Sequence, residues 1–513
     1  MAQPQERLVR ALCQGGAYPH ETQQIKLIET HISWVLLTGK FAYKLKKAIE
    51  LPFLDFSSLQ RRQHFCNEEL RLNRRLAPEL YLDVVAIGGT PERPRVGETP
   101  AIEYAVKMLQ FPRDATLDRQ LAAGLVTRDQ VRDLARSIAA FHTRLEPARG
   151  PEGDPAALEN LRELGNCLDA ARQARLERIA VWSKSQLESV AALLDTRRSD
   201  GAVRECHGDL HLENLASIDG RIVPFDALEF DPALRRMDIM DEAAFTTMDF
   251  MAHERDDLAY EFLNCYLEET GDYSGLAVLR HFLVKRALIR AKVHAIKAGQ
   301  SAKSSEDAGG GWQACDRYLG LAEELTAPRR PLLVMTRGLS GSGKTTVSGE
   351  LVARLGAVRV RSDLERKRLH GLAARDSSDS PVGGNIYGSA SSDATYAVLQ
   401  DAARQALEAG LDMIVDASFL QRNRRTALSR VASASGARCL IVDCRASDAE
   451  LRRRIAKRSA QGQDASEATA EVLDHQLAHR DDLSDAELQM TVAVQTDEKV
   501  DYKGLLARLR QGD

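Results

Sequence analysis

The stretch LLVMTRGLSGSGKTTVSGELVARLG, residues 332–356, decides the fold of the C-terminal part of this chain. It runs from a short apolar strand through a glycine-rich turn into a helical pattern, and the turn has the spacing G-x-x-x-x-G-K-[ST]. In that context the N–H groups of the turn and of the helix start point at phosphates, the lysine adds positive charge and the threonine offers a hydroxyl to magnesium. The predicted nucleotide cradle consists of Gly338, Ser340, Gly341, Ser342, Gly343, Lys344, Thr345 and Thr346.

The segments that follow this turn predict an α/β fold. Strands alternate with helices from about residue 330 onward, which is typical of a doubly wound parallel sheet with its site at the C-terminal ends of the strands. The apolar strand in LDMIVDASF ends in Asp416, where a carboxylate would reach magnesium through water. Asp416 is therefore predicted as a metal-site residue.

Further charged residues are candidates for the acceptor side of this site. Asp363 ends another strand, with Arg366 three residues later. Asp363 either holds the hydroxyl of an acceptor or caps the following helix, and the two roles can coexist. Arg454 and Arg458 share one face of an arginine-dense helix, which either closes onto the transferring phosphoryl group or is solvated. The region resembles the zeta-toxin, gluconate-kinase and polynucleotide-kinase group of P-loop kinases, which implies catalytic roles for these residues.

A second set of polar residues lies in CHGDLHLENL, residues 206–215, and in the strand-like IVPFDALEFD that follows. Phosphoryl transfer needs a carboxylate that orients the acceptor and oxygen ligands that hold magnesium. Asp209 and Asn214 in one loop, with Asp226 on the next strand, meet that requirement. A polar turn with helix-capping side chains is the alternative.

HGDLHLEN is similar to the HGDxHxxN signature of the aminoglycoside phosphotransferase-like kinases, which are relatives of the protein kinases. The resemblance implies an α+β bilobal protein-kinase-like domain. It also implies that Asp209 is the catalytic carboxylate, that Asn214 is a magnesium ligand and that Asp226 is the second metal-binding residue. His207 and His211 would orient the loop.

A site of this kind also needs a strand lysine on the nucleotide phosphates and a helix glutamate that holds the lysine. Lys44 and Lys46 in FAYKLKK point to the same face of a predicted strand, so the sequence leaves both open. The match of FAYK to the V-A-I-K pattern favours Lys44. Glu68 or Glu69 on the next predicted helix is the partner, with Glu69 favoured. The glycine-rich roof of protein kinases is absent.

The order of the two modules resembles a family of bacterial fusion proteins that join an aminoglycoside phosphotransferase-like domain to a P-loop kinase domain. We predict a kinase-like domain over 1–296, a linker and connecting helix over 297–329, and the P-loop domain over 330–513. The polar, small-residue-rich segment at 297–311 is interpreted as a flexible connection.

Composition excludes several classes of protein. The chain has 70 Lys and Arg against 74 Asp and Glu, and this balance argues against a protein that coats nucleic acid. The 8 cysteines form no C-x-x-C pair, which is typical of reduced thiols. No apolar stretch is long enough to span a bilayer and the N-terminal segment lacks the apolar core of a signal peptide, so we expect a cytoplasmic protein with no membrane partner.

These observations predict two ATP- and magnesium-dependent kinase sites that act on hydroxyl groups of small metabolites or nucleotides. One alternative is that the P-loop module phosphorylates the 5′-hydroxyl of a polynucleotide or RNA, which the balanced charge does not favour. Another is that the N-terminal module is a nucleotide-sensing regulator. Arg235 and Arg236 interrupt the acidic residues that a polycationic aminoglycoside would require, which disfavours antibiotic inactivation. The oligomeric state stays open.

Overall fold

The structure is a computed structural model of the 513-residue chain. It describes residues 2–51, 54–150, 154–304, 309–373, 376, 386, 388–461 and 469–511. The chain divides into two compact units, the first formed by 1–153 and 195–246 and the second by 154–194 and 247–513.

The first unit begins with an antiparallel sheet of six strands, in the order β1-β2-β3-β8-β6-β7. One face is covered by Leu8 and Leu12 of helix α1, and the other by Cys66 of helix α2. The central strand β3 is therefore buried along most of its length. The elements are α1 (Ala2–Leu12), β1 (Lys26–Glu29), β2 (Ser33–Leu37), β3 (Phe41–Lys46), β4 (Glu50–Leu51), β5 (Leu54–Asp55), α2 (Leu59–Asn73), β6 (Tyr81–Thr90), β7 (Arg93–Val96) and β8 (Glu103–Leu109).

The remainder of the first unit carries the polar loop between two short sheets. Strands β9 and β12 pair with each other, as do β10 and β11, and all of these pairs are antiparallel. Of the helices in the list that ends this paragraph, α5 lies wholly and α6 mainly in the second unit. The elements are α3 (Leu117–Ala122), α4 (Arg128–Arg144), α5 (Pro155–Gly165), α6 (Ala170–Ser199), β9 (Val203–Glu205), β10 (Leu215–Ile218), β11 (Arg221–Pro224), α7 (Pro232–Arg235), β12 (Arg236–Asp238) and α8 (Ile239–Ala252).

The second unit contains three further helices before the P-loop: α9 (Asp256–Thr270), α10 (Leu276–Ser304) and α11 (Gly309–Thr326). Leu279, Leu283 and Ala287 recur at helical spacing on α10 and are fully buried or nearly so. Because α10 continues to Ser304 and α11 begins at Gly309, most of the segment that was interpreted as a flexible connection is helical.

The P-loop part of the second unit is built on five parallel strands in the order β14-β15-β13-β16-β17. The strands on either side of β13 come later in the chain, so the order reverses at β13 and creates a ligand-binding crevice at its C-terminal end. The elements are β13 (Leu332–Arg337), α12 (Lys344–Leu355), β14 (Val358–Arg361), α13 (Ser362–Leu369), α14 (Ser389–Glu408), β15 (Met413–Asp416), α15 (Arg422–Ala434), β16 (Arg438–Arg445), α16 (Asp448–Gln461), α17 (Ala470–Ala478), α18 (Asp485–Gln489), β17 (Thr491–Gln495) and α19 (Tyr502–Arg510).

This architecture confirms the predicted fold class at the level of an α+β arrangement followed by an α/β domain with a parallel sheet. The compact units do not follow the predicted boundaries at 296 and 330, since α9 to α11 belong to the unit that holds the P-loop. The physical reason is that side chains of this helical segment satisfy the main chain of the edge strand β14. Among the described residues, no helix combines the length and apolar character needed to cross a membrane.

Candidate active sites

The first candidate site is centred on two lysines of β3. The Lys44 ammonium forms an ion pair with Glu69, with the nitrogen 2.9 Å from one carboxylate oxygen, and donates to Asp226. Lys46 donates to the second oxygen of Glu69 and to Glu229. Both lysines thus lie on one face of β3 and both contact the glutamate favoured from the sequence. Lys46 is completely buried, but the Asp226 side chain that Lys44 contacts is 41% exposed. Lys44 is therefore the lysine that lies at the open side of the cluster.

The charges of this cluster keep Lys44 and Glu69 ionised. Burial alone would raise the pKa of Glu69, but the two lysine ammonium groups lower it to about 2. Burial alone would lower the pKa of Lys44, but the carboxylates of Asp226, Glu69 and Glu229 hold it well above its usual value. A paired lysine and glutamate therefore stay charged beside a partly exposed aspartate, which is suited to binding a phosphate and a metal ion.

The loop at 206–214 brings the predicted catalytic residues together. The Asn214 side-chain amide donates to the Asp209 carboxylate at 2.8 Å and to the Asp209 main-chain oxygen at 3.0 Å. The His211 Nε2 atom lies 3.3 Å from the same carboxylate. Gly208 has a φ of +92°, and a Cβ there would lie only 3.1 Å from the Cβ atoms of Leu228 and Arg235. The glycine of the motif is required for this turn.

His207 connects this loop to the segment that carries Asp226. That segment follows β11, which ends at Pro224, so Asp226 lies after the strand and not on it as predicted. Burial lowers the pKa of His207, so the ring is neutral. Its Nε2–H donates to the Phe225 carbonyl at 3.0 Å, and its Nδ1 accepts the Asp209 N–H at 3.4 Å. Asp226 itself has a φ of +62°, and its N–H donates to the Tyr81 hydroxyl at 2.9 Å. These bonds hold the loop and the segment with Asp226 together.

Glu242 on α8 is a residue of this site that the sequence analysis did not identify. Its carboxylate accepts the Gly208 N–H at 2.6 Å and the His207 N–H at 3.1 Å, and it lies 2.8 Å from the His142 Nε2 atom. Burial alone would raise the pKa of Glu242, but the hydrogen bond and charge of His142 lower it to about 2. Glu229 is a second such residue, and it pairs with Lys46. No local pattern marks either residue, because each contact joins distant parts of the sequence.

The second candidate site is the turn between β13 and α12. Gly338, Gly341 and Gly343 have φ angles of +148°, +81° and +81°. A Cβ at Gly338 would lie 2.5 Å from the Cys444 oxygen, so a side chain cannot be accommodated there. Lys344 begins α12 and donates to the Leu339 oxygen at 2.9 Å. The glycines leave a cradle of main-chain groups that fits a chain of phosphates.

Two polar groups of this turn show how the cradle is satisfied in the structure. The Ser340 N–H donates to the Gln476 side-chain oxygen of α17 at 2.8 Å, so one N–H group of the cradle already binds an oxygen atom. Within the described part of the chain, the buried Ser342 hydroxyl has no hydrogen-bond partner. Both features fit a site for an oxygen-rich anion.

The expected metal end of this site is formed by α12 and β15. Asp416 ends β15 and is 5% exposed, and its carboxylate accepts the Ser348 hydroxyl at 3.0 Å. Thr345 and Thr346 are exposed in the first turn of α12. Burial lowers the pKa of Lys344, and the negative charge of Asp416 opposes this shift. A hydroxyl and a carboxylate are oxygen donors of the kind that magnesium prefers.

The predicted acceptor residues have different surroundings. Asp363 lies inside the first turn of α13, whose N-cap is Arg361, so the helix-capping alternative is not observed. Asp363 and Arg458 both act on the pKa of Lys344, in opposite directions. Arg366 is half-buried on α13.

Arg454 is bound to the P-loop itself. Its guanidinium donates to the Gly341 oxygen at 3.2 Å and to the Thr496 hydroxyl at 3.0 Å. It also donates to Glu450 one turn earlier on α16 at 2.6 Å. Arg454 therefore stabilises the P-loop through the main-chain oxygen of Gly341. The arginine-dense segment predicted to close onto the phosphoryl group runs over 449–466, and its part from 462 onward lies outside the described residues.

Comparisons with known proteins agree with the P-loop prediction. A family model described as "AAA domain" matches residues 333–483, which confirms the predicted ATP-binding domain in the C-terminal part. Over 458 residues the chain is 27% identical to an uncharacterized protein of Mycobacterium tuberculosis. The aligned region covers 87% of this chain and 88% of the relative.

Two solved structures of kinases are similar to part of this chain. A choline/ethanolamine kinase family protein from Mesorhizobium loti covers 62% of this chain and 99% of its own, at 11% identity and a TM-score of 0.37. A gluconokinase from Sinorhizobium meliloti covers 35% of this chain and 91% of its own, at 20% identity and a TM-score of 0.25.

Proposed function

We propose that this chain is a bifunctional ATP- and magnesium-dependent phosphotransferase. Each site would transfer the γ-phosphate of ATP to a hydroxyl group of a small metabolite or nucleotide. One observation carries the proposal: on two different folds, a carboxylate at the end of a strand or shortly after it acts on a lysine ammonium. In the first unit Lys44 binds Asp226, and in the second the charge of Asp416 acts on Lys344.

In the first site, Lys44 would bind ATP phosphates while Glu69 keeps the ammonium in position. Asn214 and Asp226 would hold magnesium, which neutralises phosphate charge when it is bound. Asp209 would accept the proton of the acceptor hydroxyl. The hydroxyl oxygen then bonds to the γ-phosphorus as the bond to the β,γ-bridging oxygen breaks and ADP leaves.

In the second site, the main-chain amides from Gly338 to Thr346 and the Lys344 ammonium would bind the phosphates. Thr345 and Asp416 would hold magnesium there. Asp363 would accept the acceptor proton, and Arg366 and Arg458 would neutralise charge that develops on the transferring group. Phosphoryl transfer needs mainly positioning and electrostatic stabilisation from protein, and these side chains offer both.

The test is transfer of radiolabelled γ-phosphate from ATP to a metabolite extract and to an RNA extract by the full chain. Asp209→Asn and Asp363→Asn variants are assayed in parallel. We expect each variant to lose a different labelled product. Transfer of no label by the wild-type chain would overturn the proposal, and loss of a labelled RNA in the Asp363→Asn variant would replace the small acceptor of the second site with a polynucleotide.

An Asp209→Asn variant that keeps all labelled products would contradict catalysis by the first site. If the ATP dependence of the remaining transfer changed as well, the first site would instead be a nucleotide-sensing regulator. Calorimetry with a magnesium–ATP analogue separates these outcomes, because a regulator still binds nucleotide in the first unit. Asp129→Asn, which changes an exposed carboxylate on α4, serves as the matched control.

A further inference from the structure

The edge strand of the P-loop sheet is covered by side chains of α9 and of the turn after it. The buried Asn264 amide donates to the Ala357 oxygen at 3.0 Å, and its oxygen accepts the Arg359 N–H at 2.5 Å. The buried Tyr273 hydroxyl donates to the Arg359 oxygen at 3.1 Å. These bonds satisfy main-chain groups that an edge strand otherwise leaves unpaired.

A chain of polar contacts leads from this covered edge to the expected metal site. Glu268 on α9 accepts the Arg359 guanidinium at 2.7 Å. The other end of that guanidinium donates to the Ser348 hydroxyl at 3.1 Å, and Ser348 donates to Asp416 at 3.0 Å. Thr345 joins the same group, because its main-chain oxygen lies 3.4 Å from the guanidinium.

The direction of each hydrogen bond is fixed by chemistry. A guanidinium only donates, so the Ser348 oxygen accepts from Arg359. A hydroxyl has one hydrogen, and here the Asp416 carboxylate and the Thr345 main-chain oxygen, at 3.2 Å, are the acceptors within reach. The negatively charged acceptor is the stronger one. Arg359 thus holds Ser348 in the orientation that places its hydrogen on Asp416.

The chain of contacts is shielded from water. The side chains of Glu268 and Arg359 are 17% and 12% exposed, and Ser348 is completely buried. An isolated guanidinium in such surroundings would be costly, so Glu268 supplies the countercharge that allows Arg359 to lie there.

We propose that Glu268 is a positioning residue for the magnesium site of the P-loop, acting through Arg359 and Ser348 on Asp416 and Thr345. The inference rests on the proposed function of that site. It extends the site to a helix about 75 residues before the P-loop motif and within the predicted kinase-like domain. Partners that orient metal ligands in this way typically change metal affinity by about 10- to 100-fold.

The test measures ADP binding by calorimetry, with and without magnesium, in a full chain that carries Asp226→Asn to remove a proposed metal ligand of the first site. Glu268→Gln keeps the shape of the side chain and removes its charge, and Arg359→Gln removes the contact to Ser348. Magnesium should raise the ADP affinity of the parent chain, and in each variant we expect this increase to be smaller by a factor of about ten. The ADP affinity without magnesium should stay unchanged. Glu350→Gln, which breaks an exposed ion pair with Arg354 on α12, is the matched control.

A double variant separates positioning from general destabilisation. Adding Ser348→Ala to Glu268→Gln should cost little beyond the single change, since both act through one chain of contacts. Additive losses, or magnesium dependence equal to that of the parent chain in both single variants, would overturn the inference while leaving the proposed function intact. If Lys344→Ala removed no ADP binding from the parent chain, the proposed function of the second site would fail, and this inference would fail with it.

Discussion

The Glu242 carboxylate on α8 accepts the main-chain N–H of Gly208 at 2.6 Å, so a buried helix residue fixes the backbone of the loop that carries Asp209. The same carboxylate lies 2.8 Å from His142 on α4. This loop is thus held by a buried charged group that itself needs a partner. This arrangement links the position of Asp209 to the ionisation of Glu242.

We expect Glu242→Gln to lower the stability of the chain in a pH-dependent way. The folded-state pKa of about 2 lies below the ordinary value, so the stabilisation is fully present above pH 4.5 and is lost as the pH falls through about 2. A shift of this size corresponds to about 3 kcal/mol. Urea denaturation at pH 7 and at pH 3 should show a large difference from wild type that shrinks in acid. A difference of equal size at both pH values would contradict this account, and Glu79→Gln on the surface is the control.

The two lysines of β3 should give different results when each is replaced by methionine. Lys46→Met leaves Glu69 and Glu229 without the ammonium that both contact, so it should cost about 3–5 kcal/mol of stability. Lys44→Met should instead weaken binding of an ATP analogue to the first site by at least about tenfold, because a charge-assisted phosphate contact is lost. Thermal denaturation and calorimetry measure the two effects. If Lys46→Met were the variant that lost nucleotide binding at unchanged stability, the assignment of Lys44 would be reversed.

For the P-loop, Lys344→Ala should remove most phosphoryl transfer by the second site without unfolding the chain. In the structure its ammonium bonds to the Leu339 main-chain oxygen, so little of the fold depends on it. The assay is transfer of γ-phosphate, with circular dichroism as the measure of folding. Lys503→Ala, an exposed change on α19, is the control. Equal transfer by Lys344→Ala and wild type with every acceptor would show that the cradle does not bind the reacting phosphates.

Local patterns of the sequence were sufficient for the features that depend on contiguous residues. The glycine spacing at 338–343 predicted the turn between β13 and α12, and alternation in FAYKLKK predicted that both lysines lie on one face of a strand. The structure adds that both lysines contact Glu69. Such features depend on main-chain geometry and on the two-residue period of a strand.

Contacts between distant parts of the chain could not be predicted in this way. Glu242 and Glu229 bind groups that lie far from them in sequence, and nothing nearby marks them as part of a site. The contact between α9 and β14 could not be predicted for the same reason. No sequence motif surrounds Asn264 on α9. Its role follows only from the main-chain groups of an edge strand, and the sequence does not show that this strand lies beside α9.

Asp363→Asn should spare nucleotide binding by the second site and abolish transfer to its acceptor. The change keeps the size of the side chain and removes the group that would accept a proton, and a general base typically contributes about 10²- to 10⁴-fold to the rate. Asp363 makes no capping bond in α13, so the loss of stability should stay below about 1 kcal/mol, the usual effect of one charge at a helix start. Calorimetry should therefore give an ADP affinity close to wild type while single-turnover transfer falls at least about 100-fold. Asp401→Asn on α14 controls for loss of a surface carboxylate. Unchanged turnover would place the acceptor hydroxyl elsewhere, and a parallel fall in ADP affinity would assign Asp363 to nucleotide binding instead.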